Sequence, residues 1–210
     1  IINKLQANML EVKGGTFEMG CDEKRDGNCK EGENPVLEVN LRSFQIGKYE
    51  VTQKEWHAVM NTNPSHFKNC DKCPVENVSW NDTQAFLKEL NKITGKEYRL
   101  LTEAEWEYAA RGGNKSKGYK YAGSNSISKI AWYYENSYDD KNPVKHGTHK
   151  VGSKKANELG IYDMTGNVWE WCADPYNDNH SSKESNHVLR GGSWNYNCLL
   201  YTSPSPRDIG

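Results

Sequence analysis

The sequence predicts one loop-rich α+β domain, with two to three helices and small twisted sheets, on three observations. All the helical signals fall within the first 113 of 210 residues. Beyond them Gly, Asn, Asp and Ser dominate and only short extended pieces fit. The mean hydropathy of -0.93 is very polar, yet there are seven Trp and twelve Tyr. Disordered chains are poor in aromatics, so the polar average points to loops around a core of large rings.

A chain of 210 residues and 23.9 kDa can bury a sizeable core. No internal repeat or low-complexity linker divides it. A net charge of -1 and a pI near 6.7 give no basic excess for nucleic acid and no acidic tail. No stretch approaches the roughly 20 apolar residues of a membrane span. No leader is visible, although the chain starts at Ile1 and not at Met.

Taken in order, residues 9–20 (MLEVKGGTFEMG) read as a hairpin. Met9, Leu10 and Val12 lie in one strand, Gly14-Gly15 in the turn, and Phe17 and Met19 in the other strand. Residues 21–35 are charged loop, and 36–52 alternate as strand. Thr52 caps a helix over 53–60, and 61–77 is loop. Asn81 is the expected N-cap of a helix over 82–93, with Ala85, Phe86, Leu90 and Ile93 on its buried face and Gly95 at its end. Residues 98–101 (YRLL) read as a short strand. Thr102-Glu103-Ala104-Glu105 is a capping box, opening a helix through Trp106, Tyr108 and Ala109 to Gly112-Gly113.

The six cysteines are Cys21, Cys29, Cys70, Cys73, Cys172 and Cys198. Cys70-Asp-Lys-Cys73 has the spacing of a zinc or redox motif. Zinc needs a second ligand pair, and Cys21 with Cys29 is poorly spaced for one. A redox motif normally opens a helix, whereas Pro74 follows here. Loop disulfides are the favoured reading, with free thiols and zinc left open.

Seven segments together resemble the formylglycine-generating enzyme (sulfatase-modifying factor) family. They are GGTFEMG (14–20), FQIGKYEVTQKEW (44–56), NPSHFK (63–68), PVENVSWNDTQAF (74–86), YRLLTEAEWEYAARGG (98–113), KANELGIYDMTGNVWEW (155–171) and VLRGGSW (188–194). Each alone is weak, but the ordered set is specific. The resemblance implies a variant of the C-type lectin fold, with the family domain over 9–197. Trp80, Trp106, Trp169 and Trp171 are expected as core rings, and Arg99 with Glu105 as a buried ion pair.

Residues 163–170 (DMTGNVWE) form the sharpest candidate site. Calcium takes six to eight oxygens, and a loop with Asp163, a turn at Gly166-Asn167 and Glu170 can present several around one point. The resemblance implies that the side chains of Asp163 and Glu170 and the carbonyls of Gly166 and Val168 are ligands. It adds Asn136 for a second calcium site. The bland alternative is that Asp163 caps a turn and Glu170 pairs with an Arg.

Enzymes of the family bind copper with two cysteines near the C-terminus, because soft thiolates suit cuprous ion. By the resemblance, the first falls three residues after Ser193 of the GGS motif, on Tyr196, and the second near Tyr201. Tyrosine is not a soft ligand. Residues 198–208 (CLLYTSPSPRD) match one translated frame of a sequencing-library transposon adapter, so 198–210 is expected to be a non-native tail and the domain's C-terminal part to be missing. An iron enzyme of the related sulfoxide-synthase branch is a further alternative, but no HxxxH-type pair occurs among the six His.

The resulting expectation is a non-catalytic binding or accessory module for an unknown protein or peptide ligand. It is expected to be exported, periplasmic or envelope-associated, with structural calcium. The alternative is a fragment of a copper-dependent formylglycine-generating oxidase.

Overall fold

A computed structural model describes residues 1–22, 35–138, 146–176 and 186–196. Cys29, Cys198, the tail 198–210 and most of the charged loop over 21–35 lie outside the described residues. The chain opens with a short helix, α1 (Ile2–Ala7), which the sequence reading did not include. Then come β1 (Met9–Val12), β2 (Gly15–Met19), β3 (Leu37–Leu41), β4 (Phe44–Gly47), α2 (Gln53–Met60), α3 (Trp80–Thr94), α4 (Glu103–Ala110), β5 (Glu170–Pro175) and β6 (His187–Arg190).

The expected hairpin over 9–20 does not form, although both strands do. β1 pairs with β4 and β2 with β3, all antiparallel. Neither Gly14 nor Gly15 has the positive φ that a two-residue hairpin turn needs. Gly14 instead lets two backbones cross: a Cβ there would lie 2.3 Å from Leu41 O. Both pairings share one register, in which partner numbers always sum to 56 (Met9 with Gly47, Val12 with Phe44, Gly15 with Leu41, Met19 with Leu37). The four strands are therefore one long ribbon, interrupted at Lys13-Gly14 opposite Arg42-Ser43. Lys48 continues it, donating its N–H to Asn8 O at 2.8 Å.

The helices begin where short polar side chains satisfy free N–H groups. Thr52, Ser79 and Thr102 each form a capping box, with Glu55, Asp82 and Glu105. In α3 the cap is Ser79 and not Asn81, so the helix starts two residues early. Its buried face turns with it: Phe86 and Leu90 are buried, while Ile93 is 51% exposed and Ala85 is exposed as well. Gly95 ends the helix in the left-handed region as expected. The expected strand over 98–101 does not form, and the Asn91 side chain serves both the N–H and the carbonyl of Tyr98.

The main core gathers Val12, Phe44 and Ile46 from the ribbon, Trp106 and Ala109 from α4, Ile161 and Met164 from the following loops, and Cys172 and Val188 from β5 and β6. A second cluster locks α2 to α3 through Trp56, Val75, Phe86 and Leu90, with the Trp56 and Phe86 rings stacked at 4.9 Å. Trp106 is a core ring as expected, but Trp80, Trp169 and Trp171 are only half-buried. The Arg99–Glu105 pair forms with two contacts of 2.7 Å, yet Arg99 is 58% exposed, so it is a surface-edge pair.

Candidate functional site: an acidic loop beneath an aromatic groove

The loop 163–170 winds tightly because Asp163, Gly166 and Asn167 all adopt the left-handed conformation, at φ 59, 82 and 63°. Only glycine fits at 166, where a Cβ would lie 2.3 Å from Trp132 O. Asn167 is fully buried and serves as the hub. Its Nδ2 donates to Glu50 Oε2 at 2.6 Å and to His149 O at 3.2 Å, and its Oδ1 accepts from His149 N at 2.9 Å.

Three carboxylates meet at this loop. Asp163 Oδ2 accepts from Gly152 N at 2.7 Å, while its Oδ1 is buried without a partner among the described residues. Glu170 Oε2 accepts from the Trp106 indole N–H at 2.7 Å. Glu50 accepts from Asn167 and, at 3.2 Å, from Val168 N. Glu50, which follows the ribbon, was not among the residues singled out from sequence. A lone Glu in a strand-like stretch carries no local signal; only the fold brings it to residue 163.

Burial is the largest influence on all three and pushes each carboxyl up. Asp163 rises to about 6 and Glu170 to about 7. Glu50 rises well above the usual carboxylate range, through burial first and then through the charges of Asp163 and Glu170. As whole residues Glu50 and Glu170 are half-buried, so it is their carboxyl ends that lose water. Neighbouring carboxylates out of water, one with an orphaned oxygen, are the surroundings a hard cation would stabilise.

The donor set is all oxygen, which fits calcium. Among the described residues no three acidic, imidazole or thiolate groups close on one point tightly enough to hold a metal by themselves, so backbone oxygens would be needed. The carbonyls of Met164 and Val168 both face Gly191, each 3.8 Å from the position of a Cβ there. Glu170 pairs with no Arg among the described contacts, and Asp163 holds Gly152 N across the loop. Asn136 stands apart: its Oδ1 accepts from Tyr133 N and its Nδ2 donates to Ala131 O, closing a local turn. Most of the loop opposite it lies outside the described residues.

The GGSW segment rests on the same hub, since Trp194 N donates to Asn167 O at 2.9 Å. Ser193 is buried and its hydroxyl donates to Asn195 Oδ1. The Tyr196 ring packs edge-on to Trp169 at 5.4 Å, and Tyr196 O accepts from Tyr134 N at 3.1 Å. Phe67 meets Trp194 edge-on at 5.2 Å. These rings, with Trp171 and Leu189, line a groove of about 700 Å³. Trp169 and Trp171 are therefore groove walls, contrary to the expectation of core rings. Tyr196 stands among them.

The irregular chain on two-stranded antiparallel sheets, with α4 packed against β2, β5 and β6, has the formylglycine-generating-enzyme variant of the C-type lectin fold, which its solved structural neighbours share. Residues 3–208 match the sulfatase-modifying factor enzyme 1-like domain, and the chain belongs to that family. It is 37% identical to a protein named chaperone protein LppX from Paenibacillus barcinonensis, over 89% of this chain and 78% of that protein. It is 28% identical to the inactive C-alpha-formylglycine-generating enzyme 2 of Bos taurus, over 91% of this chain and 78% of the relative. Among solved structures, variable protein 1 of Treponema denticola superposes with a TM-score of 0.78 at 30% identity, covering 96% of this chain and 88% of that one.

Proposed function

We propose that this chain is a non-catalytic binding module of its family. Its aromatic groove takes an extended segment of a protein or peptide, and its acidic loop carries a structural calcium ion. The observation that carries this reading is Tyr196. At the position where the family resemblance puts a copper-binding thiolate, a ring packed on Trp169 walls the groove. A phenol is a hard, weakly acidic group and does not replace a soft thiolate for cuprous ion. The groove offers stacking faces and little charge: the one carboxylate among its described residues, Glu76, already accepts from Phe67 N at 2.9 Å. Such a surface suits apolar and aromatic side chains on an extended backbone. The relatives named a chaperone and an inactive enzyme agree with binding without oxidation.

The Asp163 and Glu170 side chains, with Glu50 behind them and carbonyls of the 163–170 loop, would hold the calcium. It would supply charge neutralisation, and through Asn167 it would brace Trp194. Disulfides at Cys21 and at Cys70–Cys73 support an oxidising location, exported, periplasmic or envelope-associated. Among the described residues no helix is long and apolar enough to cross a membrane.

Two measurements test the reading. Cuprous ion and a Cys-x-Pro-x-Arg peptide are expected to give no oxygen uptake; uptake with loss of the peptide thiol would establish the copper oxidase instead. Calorimetric titration with calcium is expected to give binding heat that Asp163→Ala abolishes. No heat at millimolar calcium would remove the ion from the proposal.

A further inference from the structure

Cys70 and Cys73 are joined in a disulfide across a four-residue turn, in which Cys73 N donates to Cys70 O at 3.0 Å. Both line a second cavity of about 360 Å³, walled also by Lys68, Lys150 and Thr148. We propose that this pair is a redox-active site that oxidises paired thiols of a peptide or protein. The cavity shares the Phe67 ring with the aromatic groove, but the inference does not rest on the function proposed for the groove or for the acidic loop.

Four observations carry it. First, the two sulfurs are unequal: Cys73 is 4% exposed, whereas Cys70 is half-buried and flanked by exposed Lys68, Asp71 and Lys72. An incoming thiolate reaches Cys70 and leaves Cys73 as the departing group. Second, the surroundings are cationic. Lys68 and Lys150 share the cavity and Lys72 sits in the turn, while Asp71 is neutralised by Lys54 at 3.1 Å. Positive charge favours thiolates, both attacking and leaving.

Third, a place awaits the reduced state. Cys73 Sγ lies 3.9 Å from Thr148 O, an acceptor for the thiol formed on reduction, and among the described residues the buried Thr148 hydroxyl has no hydrogen-bond partner. Fourth, the turn does not depend on the bond. Gln53 N donates to Cys73 O, Lys54 N to Asp71 O and Val151 N to Lys72 O, at 2.9 to 3.2 Å. A link across so few residues restricts the unfolded chain least. The sulfur pair can therefore open and close on a fixed frame, which offsets the lack of the usual helix after the motif.

The exchange balances as follows. A substrate thiolate attacks Cys70 Sγ and breaks the Cys70–Cys73 bond. Cys73 leaves as a thiolate and takes a proton from water. The substrate's second thiolate then attacks its own sulfur in the mixed disulfide and releases Cys70. Two electrons pass from the substrate dithiol to the cysteine pair, and the substrate gains a disulfide. Cys172, the free cysteine among the described residues, is buried, and burial pushes its thiol up, so it does not compete.

The test uses the full chain in glutathione buffers of graded ratio, with alkylation and mass spectrometry as the readout. The pair is expected to reduce at ratios that leave near-ultraviolet circular dichroism unchanged. A dithiol peptide is expected to be oxidised about tenfold faster by the chain than by an equal concentration of glutathione disulfide. Cys73→Ser is expected to take up a single-thiol peptide supplied as its mixed disulfide with glutathione, the Cys70 thiolate displacing glutathione and keeping the peptide in a mixed disulfide that no second thiol resolves, and Cys70→Ser to take up none. A pair that stays oxidised in excess reduced glutathione would overturn the proposal, as would loss of fold on reduction or a Cys73→Ser chain that forms no adduct.

Discussion

At the scale of single residues, Glu50 has the greatest consequence and the least sequence signal. It lies more than a hundred residues from Glu170, yet its carboxyl feels both Asp163 and Glu170. Burial raises all three carboxyls, so the folded chain keeps protons that the unfolded chain releases near pH 4. The stability this contributes is complete below that pH and is lost as pH rises through about 6 for Asp163 and about 7 for Glu170. With calcium chelated, the thermal midpoint is therefore expected to fall between pH 4 and 7.5. A two-unit shift corresponds to roughly 3 kcal/mol per group, an upper figure for coupled acids. Saturating calcium should flatten that slope. Glu50→Gln should stabilise the chelated protein at pH 7.5 and weaken calcium binding; equal stability of both forms across this range would count against the acidic cluster. Asp163, Gly166, Val168 and Glu170 could be singled out as candidates because they share one short loop and one family motif. Glu50 could not, because its role depends on a contact across the whole chain.

At the scale of elements, local chemistry was the most readable part. Thr52 and Thr102 were identified as caps because each stands immediately before a helix-forming run. The third cap was misplaced by two residues: Asn81 and Ser79 both suit an N-cap, and Asp82 decides between them by hydrogen-bonding back to the Ser79 N–H and hydroxyl. Ser79→Ala is expected to cost about 1 kcal/mol in urea unfolding, and Asn81→Ala close to nothing. The reverse order would put the helix start back at Asn81. Strand pairing was the least readable part. Alternation marks β1 and β2 as strands but does not name their partners, and adjacency in sequence suggested the wrong ones. The decisive contact, Gly14 against Leu41 O, lies between residues 27 apart.

At the scale of the whole molecule, a buried ionic network ties α4 to both ends of the chain. Arg190 in β6 meets Glu107 at 2.7 Å and Glu103 at 3.0 Å. Glu107 also holds Arg111 at 2.9 Å and accepts from Gly20 N at 3.0 Å. Arg190 and Glu107 side chains are 2% and 1% exposed. Arg190→Ala leaves Glu107 with Arg111 as its one cation among the described residues and is expected to cost roughly 3–5 kcal/mol, the loss for breaking a buried pair. It would be read as a lower urea midpoint at unchanged slope; a cost below about 1 kcal/mol would mean that water enters the network. The ribbon bears on the acidic loop in another way. Its register keeps one phase across the interruption at Lys13-Gly14, from Met19 and Leu37 down to Lys48, whose carbonyl accepts from Tyr162 N at 3.1 Å, next to Asp163. Residues added between Asp22 and Pro35 leave every strand pairing in place, whereas one residue added beside Lys13 or Arg42 shifts the phase of all that follows. The fold thus separates tolerance to insertion from precision of geometry: one end of the ribbon is free to vary in length, while the other keeps Glu50 in step with its partners.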